Sequence, residues 1–139
     1  MTQVSRSALV PYSAEAMFSL VNDVASYPQF MDGCQSVEII EHTEQLMVAS
    51  LCLKKAGIEV NLTTENQLIP GVSIEMSLQD GPFSSFKGLW QFKALSDSAS
   101  KLSLDLEFEF KRRGLGSLAA GMFSGVANNL VDALCRRAD

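Results

Sequence analysis

A single histidine, His42, stands among the 139 residues, so a Ser-His-acid triad or an imidazole metal site would have to be built on it. It falls in His42-Thr43-Glu44-Gln45, a polar run that reads as a turn between strands, and a solvated turn residue is the expectation. The three cysteines, Cys34, Cys52 and Cys135, are odd in number and far apart, with no C-x-x-C spacing. They are expected to be reduced, half-buried small residues. Asp105, Glu107 and Glu109 resemble a carboxylate cluster, but their alternate spacing puts them on the polar face of a strand, pointing into solvent. No phosphate-cradling loop of the G-x-x-x-x-G-K or strand-linked G-x-G-x-x-G type occurs. The residue types therefore assign no catalytic residue, no metal ligand and no tightly held cofactor.

Binding asks less of a sequence. An apolar ligand needs a concave apolar wall and a few polar anchors. The candidates are Phe30, Met76, Phe86, Trp90 and Phe92 from the body of the chain, and Met122, Phe123, Val126 and Leu130 from its last quarter. Two readings stand for them, packed core or the wall of a hollow. Asn129, at the margin of the same apolar arc, either hydrogen-bonds a ligand head group or caps a neighbouring loop. Lys111-Arg112-Arg113 is the one run of three basic residues in a chain of net charge −5 and pI about 4.8. It is a candidate contact for phospholipid head groups or RNA phosphate, against the plainer reading of a solvated loop. The acidic balance argues against DNA binding over the whole surface. Phe83, in the turn 80–83, is a candidate exposed aromatic at a rim.

The elements that would hold these residues can be read from periodicity. Leu115, Leu118, Ala119, Met122, Phe123, Val126, Ala127, Leu130, Val131 and Leu134 recur at spacings of three and four, which predicts a helix over 114–137. Its apolar arc is too wide for a surface helix, so it must lie in a trough. Ser117, Gly121 and Gly125 form a small-residue stripe along it, explained either by close backbone approach or by a helix start that bends as a gate. Before it, the alternation through 102–110 predicts a strand. Further strands are predicted over 3–10, 36–42, 46–54, 58–68 and 72–78, and through Phe86, Gly88, Trp90 and Phe92. The strand 46–54 is apolar on both faces, and its outer face is a candidate contact with a second subunit. After the first strand, Ser13 is a plausible N-cap for a helix bearing Met17, Leu20, Val21 and Val24. Ser26 is expected to start a second short helix, with Pro28 in its first turn, carrying Tyr27, Phe30 and Met31 and ended by Asp32-Gly33. The fold class is α+β: one domain over 1–139, a curved antiparallel seven-stranded sheet around a long C-terminal helix, with two short helices after strand 1. No apolar run approaches the 18 residues of a membrane span. Met1 to Arg6 offers neither an apolar signal core nor an Arg-rich leader, which predicts a cytoplasmic, most simply bacterial, protein.

With this order in place, several stretches resemble a known family. They are Pro11-Tyr12-Ser13-Ala14-Glu15-Ala16-Met17-Phe18, Val21-Asn22-Asp23-Val24, Tyr27-Pro28-Gln29-Phe30 with Cys34, Asp80-Gly81-Pro82-Phe83, Gly88-Leu89-Trp90-Gln91-Phe92 and Phe108-Glu109-Phe110. The chain resembles the helix-grip superfamily of StAR-related lipid-transfer domains and polyketide cyclases, and within it the coenzyme Q-binding and ribosome-association-toxin proteins. One departure is Asp32, where the family pattern has a proline. The resemblance implies a helix-grip fold and one of three functions. The first is non-enzymatic binding of a hydrophobic ligand such as ubiquinone, in support of respiration. The second is association with the large ribosomal subunit, blocking subunit joining, as a toxin does. The third is cyclase or dehydrase chemistry, which ranks last because no general acid or base is evident for the trough. Lys111, Arg112 and Arg113 are then the expected contact with a ribosome or, peripherally, a membrane.

Overall fold

The computed structural model describes residues 2–111 and 113–139, with the main chain alone for 113–117. Strand β1, Thr2–Val10, leads into helix α1, Ala14–Asn22, and a 3-10 helix, Val24–Gln29. Six strands follow: β2 (Cys34–His42), β3 (Leu46–Lys55), β4 (Ile58–Ile69), β5 (Ser73–Asp80), β6 (Phe83–Ser96) and β7 (Ala99–Phe110). Helix α2, Arg113–Ala138, closes the chain. The strands form one antiparallel sheet in the order β1-β7-β6-β5-β4-β3-β2. Short turns make β2 to β7 a meander, and only β1 joins out of sequence, antiparallel to β7. Local register shifts, such as that between Thr63 and Thr64 opposite β5, bend the strands, and the bent sheet wraps α2.

The period-two pattern places the core. Val60, Leu62 and Leu68 of β4, Trp90 and Phe92 of β6, and Leu102, Leu104, Leu106 and Phe108 of β7 are all buried. They meet Phe123, Val126, Ala127, Leu130, Val131 and Leu134 of α2. Asp105, Glu107 and Glu109 face out as expected, and two of them serve the β1–β7 seam: Ser5 donates to Asp105 and the Gln3 amide to Glu107 at 2.8 Å. His42 is exposed at the end of β2. Leu118–Ala138 is long and apolar enough by length and composition to cross a bilayer, although no such span was expected, but half of that stretch is buried against the sheet.

Three expectations are corrected. The second short helix starts at Val24, not Ser26, and is 3-10 rather than α. Ser26 Oγ turns back to Asp23 Oδ2 at 2.7 Å instead of capping a new helix, and Pro28 sits inside the run. Phe83 is not an exposed rim aromatic; it is 2% exposed and sits among Phe86, Phe108, Phe110 and Phe123, with centroids 4.4–6.0 Å away. The β6–β7 hairpin also runs past the predicted strand, because Ala94, Ser96, Ala99 and Ser100 still pair although their side chains do not alternate. Backbone ladders need no apolar period to form.

Among the described residues, several polar and cation–π ties hold the C-terminal end of α2. The Arg6 guanidinium bridges to Asp132 at 2.6 Å and donates to the Asn128 carbonyl at 3.0 Å. Tyr12 donates to Asp139 at 2.6 Å, and the Arg137 guanidinium lies 4.6 Å over the Phe30 ring. All these ties fall in the C-terminal half. In the other half, a Cβ added at Gly121 or Gly125 would meet nothing within 4 Å. Close backbone approach therefore does not explain either glycine.

Candidate functional site

The curved sheet and α2 do not close on each other completely. Between them lies a cavity of about 100 Å³. Leu104 and Leu106 of β7, Phe86 and Trp90 of β6, and Ile74 and Met76 of β5 form one side. Ala49, Leu51 and Leu53 of β3, with Leu62, Thr64 and Asn66 of β4, form the next. Phe123, Val126, Ala127 and Leu130 of α2 roof it, and Val21, Asn22, Val24, Tyr27 and Met31 plug one end. Two glycines shape these walls. A Cβ at Gly88 would sit 2.4 Å from Met76 Cε, so glycine lets the methionine lie flat across β6. Gly33, at φ +92°, passes under α2 where a Cβ would touch Val126 at 3.0 Å. The loop holding Gly33 is fixed by the Lys54 amide, which donates to its carbonyl at 2.8 Å, and by Lys55 Nζ, 2.7 Å from Asp32. The hydrogen bond from Lys55 holds the Asp32 carboxyl below its ordinary range, which gives the residue that departs from the family pattern a local role.

The cavity brings together Met76, Phe86, Trp90, Phe123, Val126 and Leu130 of the ten residues expected from the sequence. It leaves out the other four. Phe92 is buried against Phe18, with ring centroids 5.5 Å apart. Phe30 lies outside the cavity wall, edge-on to Tyr27 and beneath Arg137. Met122 is half-buried and Asn129 is exposed. Neighbouring helix residues point about 100° apart, so Leu130 facing inward throws Asn129 out, and buried Ala119 does the same to Leu118, which is 64% exposed. Lys111 is exposed, and its amide donates to the Pro82 carbonyl at 2.9 Å. Arg112 lies outside the described residues, as does the side chain of Arg113.

Sequence reasoning missed the polar residues of the wall. Past Leu62 the inward face of β4 continues as Thr64 and Asn66, 4% and 5% exposed. Inward-facing polar residues break the apolar alternation, so the strand's second half carried no signal of which face was buried. The side-chain oxygens of Asn66 and of Asn22, the last residue of α1, are buried without a hydrogen-bond partner. Among the described residues Tyr27 is the one titratable group in the wall, and its hydroxyl is already engaged, donating to the Val21 carbonyl at 2.5 Å. Burial pushes its pKa far above the ordinary value. Cys34 lies buried beside this end, its thiol pushed up to about 11 by desolvation. Among the described residues, no three His, Cys, Asp or Glu side chains gather as metal ligands.

Residues 10–135 match the family described as polyketide cyclase / dehydrase and lipid transport. The chain is 51% identical over 138 residues to the ribosome association toxin RatA of Vibrio cholerae, covering 99% of this chain and 96% of that one. It is 26% identical over 133 residues to the mitochondrial coenzyme Q-binding protein COQ10 of Drosophila melanogaster, covering 94% of this chain and 52% of that one. The crystal structure of the Zhui aromatase/cyclase of Streptomyces sp. R1128 superimposes with a TM-score of 0.83 at 21% identity, over 99% of this chain and 93% of that one. At that identity the likeness is one of fold. The chain belongs to the polyketide cyclase / dehydrase and lipid transport family, in the helix-grip superfamily, and within it to the group that holds the RatA proteins.

Proposed function

We propose that this chain associates with the ribosome, binding the large subunit and hindering subunit joining. The observation that carries this reading is 51% identity across 99% of the chain to a protein named for that association. It reverses the order taken from the sequence, where the hydrophobic ligand came first. Lys111, Arg112 and Arg113, between β7 and α2, are the proposed contact with RNA phosphate. A cytoplasmic location goes with this reading. The test is sedimentation of purified subunits with the protein through sucrose gradients. The expected result is co-migration with the large subunit, weakened by salt, and lost when Arg112 and Arg113 both become Glu. Migration at the top of the gradient with both subunits present would remove the reading.

A second reading is favoured by the cavity itself. A hydrophobic small molecule is its proposed occupant, and the similarity to a coenzyme Q-binding protein supports a quinone-like head group. Ligand cavities for drug-sized molecules run to several hundred Å³. One of about 100 Å³ suits a single ring, so a prenyl tail would need α2 to move. Binding without turnover fits a wall whose one titratable group among the described residues is an engaged tyrosine, because cyclisation and dehydration both need a poised acid or base. Extraction of the purified protein followed by mass spectrometry tests the occupant. A protein that carries nothing apolar and takes up no ring compound would contradict it.

A further inference from the structure

We infer that the cavity selects an apolar ring bearing one or two hydroxyl groups, each donating a hydrogen bond to the side-chain oxygen of Asn66 or of Asn22. The inference rests on the reading that the cavity holds a hydrophobic small molecule, and it names the chemistry of that molecule. Apart from Asn22, Asn66, Thr64 and Tyr27 the lining is apolar: Trp90, Phe86 and Phe123 offer ring faces and edges, and aliphatic and methionine side chains fill the rest. A cavity of this class is the right size for one ring; an apolar engineered cavity of about 150 Å³ holds benzene.

The polar side chains of the wall decide which ring. A buried amide oxygen without a donor is destabilising, and nearly all such groups in folded proteins are satisfied. Asn66 occupies an inward position of β4 between Thr64 and Leu68, where an aliphatic residue would bury without penalty. It is 5% exposed, and its Oδ1 has no partner; Oδ1 of Asn22, a half-buried residue at the end of α1, is also buried and unpartnered. The Tyr27 hydroxyl does not serve either of them, because it donates to Val21. Both unpartnered atoms are acceptors, so the missing group is a donor. A phenol or a hydroquinone supplies it. An aryl ether or an oxidised quinone presents only acceptors and would set lone pairs against lone pairs. The site thus distinguishes the reduced from the oxidised form of a quinone head group, and a free phenol shares the favoured chemistry.

Titration calorimetry on the whole protein tests this, with 4-methylphenol against 4-methylanisole, and trimethylhydroquinone against trimethylbenzoquinone under matched conditions. The hydroxylated member of each pair is expected to bind roughly tenfold tighter, the scale of one buried hydrogen bond. The Asn66→Leu variant should keep or improve binding of 4-methylanisole and lose most of the preference, which separates a lost acceptor site from a lost fold. Tighter binding of the hydroquinone than of the monophenol identifies the reduced quinone head as the source; the reverse identifies a free phenol. Equal affinity within each pair means that water satisfies the two amides, and it overturns the inference while the apolar cavity stands. Preference for the ether or the oxidised quinone means that the amides present donors, and also overturns it. Failure of all four compounds to bind removes the hydrophobic-occupant reading and this inference with it.

Discussion

Asn66 is the residue at which stability and selectivity pull apart. In the ligand-free protein its side chain leaves an acceptor buried and unpaired. Replacing it by leucine, of similar volume, is expected to leave the fold unharmed and raise stability by ~1 kcal/mol, read as a higher urea midpoint at unchanged m-value. A fall of that size would mean that the amide is satisfied within the fold. Phe83 behaves in the opposite way. It is 2% exposed among four other phenylalanines, so Phe83→Ala should cost about 3–5 kcal/mol, measured by the same unfolding curve. Cys34 offers a pH test. Its thiol is pushed up to about 11, so the reactive thiolate is scarce at pH 8. Its alkylation by iodoacetamide in the native protein is expected to be very slow there and to climb steeply between pH 9 and roughly 11. Fast labelling of Cys34 at pH 8, located by peptide mapping, would contradict its burial. At this scale the apolar period, of two on strands and of three to four on α2, marked inward-facing side chains: six of the ten residues named from the sequence line the cavity. It was illegible at Thr64 and Asn66, because a polar residue on an inward face looks the same in sequence as one on an outward face.

At the scale of elements, α2 was the most legible and the most instructive. Its period fixed both its extent, Arg113–Ala138 against the expected 114–137, and its place in the trough. The margins of its arc were read less well. Leu118 and Asn129 turn outward because the sheet grips a narrower face than the apolar count suggests. The 3-10 helix escaped for a different reason: six residues with an internal proline carry too little period to distinguish helix types. The position of the described ties bears on the glycines of α2. The ties from Arg6, Tyr12 and Phe30 all meet the helix at or beyond Asn128, whereas Gly121 and Gly125 stand where an alanine would meet no neighbour. Each Gly→Ala change should therefore stabilise the protein by about 0.5–1 kcal/mol through the backbone alone. If the first turns of α2 act as a gate, amides of residues 115–125 exchange faster than those of 128–138, and the double alanine variant slows both that exchange and ligand uptake. Uniformly slow exchange in the parent protein would remove the gate.

For the whole molecule, the meander and the long helix enclose an apolar hollow among the described residues, and the sequence puts the basic run Lys111-Arg112-Arg113 between β7 and α2. A ribosome contact and a small-molecule site are therefore compatible on one chain. If they are coupled, saturating the cavity should change ribosome co-sedimentation, and the ribosome should change ligand affinity by the same factor. A ring compound that binds with the same affinity in the presence and absence of large subunits would show the two to be independent. The sequence carried the architecture at this scale because seven strands with short turns and one wide-faced helix admit few arrangements. It did not rank the two proposed readings. Both draw on the same apolar pattern, and a surface that recognises RNA needs only a few exposed charges.

The placement of Trp90 has a practical side. It is the only tryptophan in the chain, and it stands in the cavity wall on β6, with β5 between it and the strand β4 that holds Thr64 and Asn66. An indole's emission colour follows the polarity around it, so this protein carries its own hygrometer. Blue emission from the unliganded chain means a dry chamber with two thirsty amides; a red-shifted band means that solvent already lodges there.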